Sequence, residues 1–332
     1  MGADSGLPSS RLDPGSPEAL RIILNPEAGG LRRRPGLVRS LEERHRGSLV
    51  ITEAPGHATE LARRARSEGC RTVIAAGGDG TIHEVVNGLV DLPPDAGGAG
   101  ASTTPRDETP RLGILPFGTG NDLARALELP LDPESALRRL GDSRVRPIDL
   151  VVLENGSREY LVNFAIGGFG GDVSEHITEE RRSRWGGLIY LRAAVAELSG
   201  LGHHRVEIRL DEEVLGPLDA LAVIVGNGRY LGNGIPATPT ASLDDGLLDV
   251  VIVPYRGRLR LPMVVARVLT GRHLDHPGFL FRRTRSLEVR AEPPLPFNAD
   301  GQSLGPGNVS FRIVPGALPV LVPSPAVQPS AG

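Results

Sequence analysis

The stretch Thr72-Val-Ile-Ala-Ala-Gly-Gly-Asp-Gly-Thr81 is an apolar run of strand length that breaks into two glycines, an aspartate, a third glycine and a threonine. A helical pattern follows at once over residues 82–89. The spacing predicts a strand, a tight turn and a helix. Such a turn offers backbone N–H groups and a helix N-terminus to an anion, a common way of holding phosphate. A glycine-rich turn alone also occurs in α/β proteins for tight packing.

A second stretch has the same form. Gly113-Ile-Leu-Pro-Phe-Gly-Thr-Gly-Asn-Asp-Leu-Ala124 is a short apolar strand, then Gly118, Thr119 and Gly120, then Asn121 and Asp122 at the start of a helix. Two such turns at the carboxyl ends of neighbouring parallel strands face one crevice, where ligands sit in open α/β sheets.

Working outward, residues 21–24 and 48–52 read as strands, and residues 37–44 and 57–67 as helices. With the two glycine turns they form a βαβα series and a mostly parallel sheet, sandwiched between helices as a three-layer α/β domain. Between the turns, residues 91–110 form a Pro, Gly, Ala and Thr tract without periodicity, expected to be a mobile insertion. Beyond about Val145 the texture changes to short alternating strands with turn signals: residues 148–153, 160–165, 205–210, 221–225, 248–253, 286–290 and 309–314. This pattern predicts an antiparallel β-sandwich, interrupted by helices over 188–198 and 261–269. The expected organisation is a disordered tail over 1–18, an α/β domain over 19–146, a β-sandwich over 147–315, and a last strand and tail over 316–332.

Composition narrows the function. The 37 basic residues are all arginine, which excludes a Walker-type lysine and Schiff-base chemistry. A net charge of −3 and 4% aromatic residues argue against nucleic-acid binding. No apolar run reaches the roughly eighteen residues of a membrane span, and residues 1–17 lack the apolar core of a secretory signal. The single Cys70 precedes an apolar strand and reads as a buried core residue. A cytoplasmic protein is the expectation.

Several side chains carry candidate chemistry. Asp79, in a turn built for phosphate, needs a cation between the charges, which magnesium supplies; alternatively it takes a proton from an acceptor hydroxyl, or it caps its helix. Thr81 and Thr119 either donate to phosphate or cap. Asp122 either complements a helix dipole or joins a metal network. Glu84 reaches a nucleotide ribose or lies in solvent, and His83 faces outward. The arginines at 32–34 face the mouth of the site or form a solvated face, and Gly167 and Gly168 allow close approach of a lipid or mark a bend. Residues 181–190 join arginines to Trp185 and Tyr190, either as a membrane-facing surface or as a docked helix. His273 and His276 read as a surface turn, with no zinc.

Taken in order, Asn25-Pro-Glu-Ala-Gly29, Gly77-Gly-Asp-Gly-Thr81, Phe117-Gly-Thr-Gly-Asn-Asp122, Asp245-Gly-Leu-Leu-Asp249 and Asp300-Gly301 resemble the diacylglycerol kinase catalytic family over residues 20 to 315. The resemblance implies a nucleotide site in the cleft between the two domains, ATP and magnesium, and transfer of the γ-phosphoryl group to a hydroxyl of a diacylglycerol-like or sphingoid lipid at the membrane surface. It implies nucleotide contacts at Thr52, Gly77, Gly78, Asp79, Gly80, Thr81 and Thr119; Asn25, Glu84, Gly118 and Asn121 are further candidates for the same site. A structural magnesium would be held by the carboxylate of Asp245 and the carbonyls of Ser242 and Leu247, with Asp122 as a further candidate. Asp79 and Asp300 are the catalytic candidates.

One position departs from the pattern. Where many members have Asp-Gly-Glu, this chain has Gln302, and an amide takes no proton at neutral pH. Two alternatives stay open: a kinase resembling NAD kinases, which share the Gly-Gly-Asp-Gly turn, and a catalytically impaired binding protein. The oligomeric state is not legible in the sequence.

Overall fold

The structure, a computed structural model, describes residues 20–31, 34–45, 47–93, 96, 109–168, 203–305 and 307–324. The chain divides into two compact units, at Ile148/Asp149 and again at Pro315/Gly316.

In the first unit, strands β1 (Leu20–Leu24), β2 (Leu49–Ile51), β3 (Thr72–Gly77) and β4 (Arg111–Pro116) lie parallel in the order β2-β1-β3-β4. Helices α1 (Pro35–Arg44), α2 (His57–Ser67), α3 (Asp79–Leu89), α4 (Asp122–Ala126) and α5 (Pro133–Leu140) join and follow them. Every residue of β3 is buried, as expected for a parallel strand covered on both faces. Strand alternation sends Ile22, Leu24, Ile74 and Ala76 into one core with Leu37 and Leu41 of α1 and Leu140 of α5. Ile23, Val73 and Ala75 fall on the opposite face, towards α2 and α3. The result is the expected three layers. The strand after Pro315 returns to this unit, where Val320 pairs in parallel with Leu112 of β4.

The second unit is an antiparallel sandwich. Its strands are the latter part of β5 (Ser143–Glu154), then β6 (Arg158–Leu161), β7 (Phe164–Gly167), β8 (His204–Leu210), β9 (Glu213–Gly226), β10 (Leu248–Pro254), β11 (Leu280–Thr284), β12 (Ser286–Glu292), β13 (Phe297–Ala299), β14 (Gln302–Ser303) and the first part of β15 (Val309–Pro323). The long β9 is shared: residues 213–220 pair with β8, and residues 223–226 pair with both β7 and β10. Its second half therefore has two covered faces. Val223 and Val225 enter the sandwich core with Val250, Phe297 and Phe311, whereas Ala222 and Ile224 pack on the other side with Val264 and Val265 of helix α6 (Leu261–Leu269). Each such buried aliphatic side chain contributes roughly 1.5–3 kcal/mol.

Two expectations need correction. The run 160–165 is not one strand: it stops at Leu161, resumes at Phe164, and leaves the N–H groups of residues 162–164 outside the ladder for a reason given below. His273 is not on a surface turn. The turn exists, but the imidazole is fully buried, its Nε2 lies 2.8 Å from the Ala237 carbonyl oxygen, and its ring packs on Phe279. The carbonyl of Ala237, 36 residues earlier, meets it, which Pro277 and the loop composition do not reveal. The helix expected over 188–198 and the arginine-aromatic segment 181–190 lie outside the described residues, as does most of the insertion over 91–110.

Burial holds the His273 imidazole below its ordinary value of 6.5. The folded state keeps it neutral while the unfolded chain takes up a proton below that value. Stability is therefore complete above about pH 6.5 and falls as the pH drops through it, by at most about 1.4 kcal/mol per pH unit from this one group. Thermal melts between about pH 7.5 and pH 5.5 should show a falling midpoint, with a shallower fall in His273→Gln; equal slopes would assign the dependence to other groups.

Candidate active site

Register places the two glycine turns side by side. Gly77 and Pro116 end β3 and β4 as paired residues, so both strands leave the sheet at the same level. The turns then touch: a Cβ built on Gly118 would stand 2.6 Å from the Cα of Gly78, closer than any side chain tolerates. The α3 ladder begins with the Ile82 N–H donating to the Gly78 carbonyl at 3.1 Å, which leaves the preceding amides at the open helix start. Asp79 is the first residue of that helix, after Gly78 at the N-cap; its Oδ1 accepts the Leu123 N–H of α4 at 3.3 Å, linking one turn to the other. Asn121 closes the second turn on itself, accepting the Gly118 N–H at 2.9 Å and donating to the Gly118 carbonyl at 2.8 Å. It does so at φ 52°, a left-handed conformation that asparagine tolerates better than most residues.

A third loop joins them. Asn25, at the end of β1, donates through Nδ2 to Thr81 Oγ1 at 3.0 Å and accepts the Glu27 N–H at 2.9 Å. The Gly30 N–H donates to the Phe117 carbonyl at 2.8 Å. Thus Asn25, Gly77, Gly78, Asp79, Gly80, Thr81, Gly118, Thr119 and Asn121 converge at the carboxyl end of one parallel sheet. Thr119 is exposed, whereas Thr81 is buried with its hydroxyl already accepting from Asn25.

Other candidates do different work. Glu84 is half-buried and not free in solvent: its Oε2 accepts the Ala58 N–H at 3.1 Å, capping the start of α2. His83 is buried, not outward-facing, because α3 is covered on the side where it projects. Thr52 is buried behind β2, with its N–H on the Leu24 carbonyl at 2.9 Å. Asp122 is buried in the first turn of α4. Arg34 pairs with Asp132, the N-cap of α5, at 2.5 Å; residues 32 and 33 are outside the description. Cys70 is buried, and burial raises its thiol above the usual value.

In the second unit, Asp300 and Gly301 form the two-residue turn of the β13–β14 hairpin, with φ of 45° and 89°. Both values are positive, as in the turn type that favours Asp-Gly. The Asp300 carboxylate accepts the N–H groups of Val162 at 2.8 Å and Phe164 at 3.0 Å, and shares that of Asn163. These are the amides that the break between β6 and β7 leaves over. Gln302 is exposed on β14. Gly167 does approach something closely, but it is the chain itself: a Cβ there would meet Leu295 and the Phe297 ring at 2.6 Å.

Comparison with known proteins decides the family. Residues 19–153 match the diacylglycerol kinase catalytic domain, and residues 165–322 match the YegS C-terminal NAD kinase beta sandwich-like domain. A protein of Cronobacter sakazakii named "Probable lipid kinase YegS-like" is 32% identical over 303 residues, covering 91% of this chain and 95% of its own. The chain belongs to the YegS-like lipid kinase family. A similarly named protein of Pseudomonas aeruginosa strain UCBPP-PA14 is 33% identical over 308 residues, with 92% and 95% covered. Among solved structures, a diacylglycerol kinase of Bacillus anthracis str. Sterne is 26% identical, covers 94% of this chain and 98% of its own, and has a TM-score of 0.64.

Against that family pattern, the loop matched to a structural magnesium site has a cation of its own. The Asp245 carboxylate pairs with Arg283, and its other oxygen accepts the Leu247 N–H at 3.1 Å. The same guanidinium reaches Asp249 at 2.9 Å, and Thr240 donates to the second oxygen of Asp249. Ser242 spends its hydroxyl on Asp244 at 2.7 Å, and the Gly246 N–H goes to Asp149 at 2.7 Å. Among the described residues no cluster of three or more Asp, Glu, His or Cys is arranged for a metal. As arranged, the Asp245 carboxylate that the resemblance assigns to magnesium is already paired with Arg283. Sequence reasoning missed Arg283: it comes from β11, with no local signal in the Asp-Gly-Leu-Leu-Asp stretch. Burial raises the Asp249 carboxyl above its usual value even with Thr240 and Arg283 opposing. Removing the guanidinium should therefore cost stability, about 2 kcal/mol, less than for a fully buried pair because Arg283 stays partly in water. Chelation by EDTA should leave the wild-type melting midpoint in place and Arg283→Ala should lower it; a midpoint that falls on chelation would restore a metal to this loop.

Proposed function

We propose that the protein is an ATP-dependent lipid kinase that transfers the γ-phosphoryl group to a hydroxyl of a diacylglycerol-like or sphingoid lipid. The observation that carries this reading is the direct contact of Gly78 with Gly118, which merges two turns into one cradle of main-chain N–H groups. A cradle of that kind suits a polyphosphate, since helix starts and turn amides bring positive potential without a side-chain cation. The absence of lysine makes this backbone contribution more important. Phosphoryl transfer asks the protein chiefly for orientation and charge neutralisation.

Within this reading, the amides at the start of α3 and around Gly118 hold the phosphates, with Thr119 adding a hydroxyl from the exposed side. Asn25 keeps Thr81 and the first turn in place. Asp79 is the carboxylate in the turn that would hold a magnesium ion accompanying the nucleotide, which would offset the phosphate charge. Asp300 is the acidic side chain left in the Asp-Gly-Gln segment, and it is proposed to receive the proton of the acceptor hydroxyl, oriented by the amides of residues 162–164. A second reading rests on the same hydrogen bonds: Asp300 fills the break between β6 and β7 as an anchor, and with Gln302 as an amide the protein binds nucleotide or lipid without turnover.

Incubation with labelled ATP and a total lipid extract should label a lipid, and NAD offered in parallel should stay unlabelled; label on NAD alone would reject the proposal. Asp79→Asn should keep the fold and lose turnover by about 10²-fold or more, whereas unchanged turnover would remove Asp79 from the mechanism. Asp300→Asn sets an amide donor against backbone N–H groups and should cost about 1–3 kcal/mol. If its turnover survives where the variant remains folded, Asp300 is the anchor alone, and a gain of activity in Gln302→Glu would place the proton acceptor there.

A further inference from the structure

We infer that the turn over residues 256–260, at the start of α6, is a docking element for an anionic bilayer surface. The choice of a bilayer over other polyanions rests on the lipid-kinase reading; the charge and exposure of the turn do not. In a chain of net charge −3, residues 255–272 contain arginines 256, 258, 260, 267 and 272 and no Asp or Glu. Arg256, Arg258 and Arg260 are exposed, and no ion pair engages any of them among the described residues. Burial first, and then the positive charges of Arg267, Arg256 and Arg260, hold His276 below the usual imidazole range, which reports the same unneutralised field.

Leu259 stands among these arginines at 99% exposure, the most exposed large apolar side chain described. Its position is fixed from beneath. Gly257 turns the chain at φ 87°, residues 258–260 form one turn of 3-10 helix, and Leu261, Val264 and Val265 anchor the following helix in the core. Beside it, Arg256 and Arg260 border a shallow, mainly apolar hollow lined by Leu221, Tyr255, Met263 and Val264. A projecting leucine ringed by cations matches a headgroup layer, where charges meet anionic lipid and the apolar tip enters the acyl boundary. It matches nucleic acid poorly, since the adjacent aromatic ring, Tyr255, is already stacked on His203 at 4.6 Å.

The test is sedimentation of the full-length chain with vesicles of phosphatidylcholine alone and of phosphatidylcholine mixed with phosphatidylglycerol. The wild type should pellet with the anionic vesicles, and less so as salt rises. Arg258→Gln with Arg260→Gln should weaken that binding by about fivefold for each charge removed, and Leu259→Ser should weaken it at every salt concentration. Wild-type protein that ignores anionic vesicles, or variants that bind as the wild type does, would overturn the inference. Binding that needs the arginines but not Leu259 would also overturn it, in favour of a general polyanion surface. Phosphoryl transfer to detergent-dispersed lipid is measured alongside: a wild type inactive on every lipid there would remove the kinase reading while leaving the vesicle result to be judged separately.

Discussion

The first unit depends on one steric fact: two backbones meet where no side chain could intervene. β3 and β4 are parallel, adjacent and in register to their last residues, so their turns leave the sheet together, and Gly78 meets Gly118 at van der Waals distance. Around that contact, Asp79 reaches the amide of Leu123 and Asn25 reaches Thr81, so each loop is braced by a side chain from another. A phosphate-binding turn made from backbone amides is only as well organised as these braces. Here the bracing side chains are the very residues whose spacing suggested chemistry.

The second unit uses carboxylates in the same bracing manner. Asp300 supplies the acceptors missing where β6 gives way to β7, and Asp149 holds the amide of Gly246 in the loop before β10. Asp245 and Asp249 are neutralised by the guanidinium of Arg283. In a lysine-free chain, arginine suits that place: its planar fork serves two carboxylates at once, which an ammonium does less well.

Much of this was legible in order of residues. Strand and helix periods follow directly from the apolar pattern, because burial on two faces demands continuous apolar strands and burial on one face demands alternation. Both glycine turns, the Asp-Gly hairpin turn and the change of texture near residue 147 could be read locally, since each is a statement about neighbouring φ and ψ or about composition. The misreadings share a cause. Glu84, His83 and His273 sit in segments whose own polarity suggests exposure; Glu84 instead accepts the Ala58 amide, His83 is buried, and His273 is buried with its Nε2 on the carbonyl of Ala237.

The linear chain by itself determined the two fold types, the order of motifs, the lack of any lysine and the pair of glycine turns, because these rest on local conformation and on composition. Tertiary structure alone decided that the turns touch, that the strand over residues 160–165 breaks to meet Asp300, that Arg283 pairs with Asp245, and that Leu259 projects among arginines. Those are encounters between residues separated by tens of positions, or the absence of any such encounter, and hydrophobic periodicity carries no information about which distant backbone atom or charge a side chain will meet.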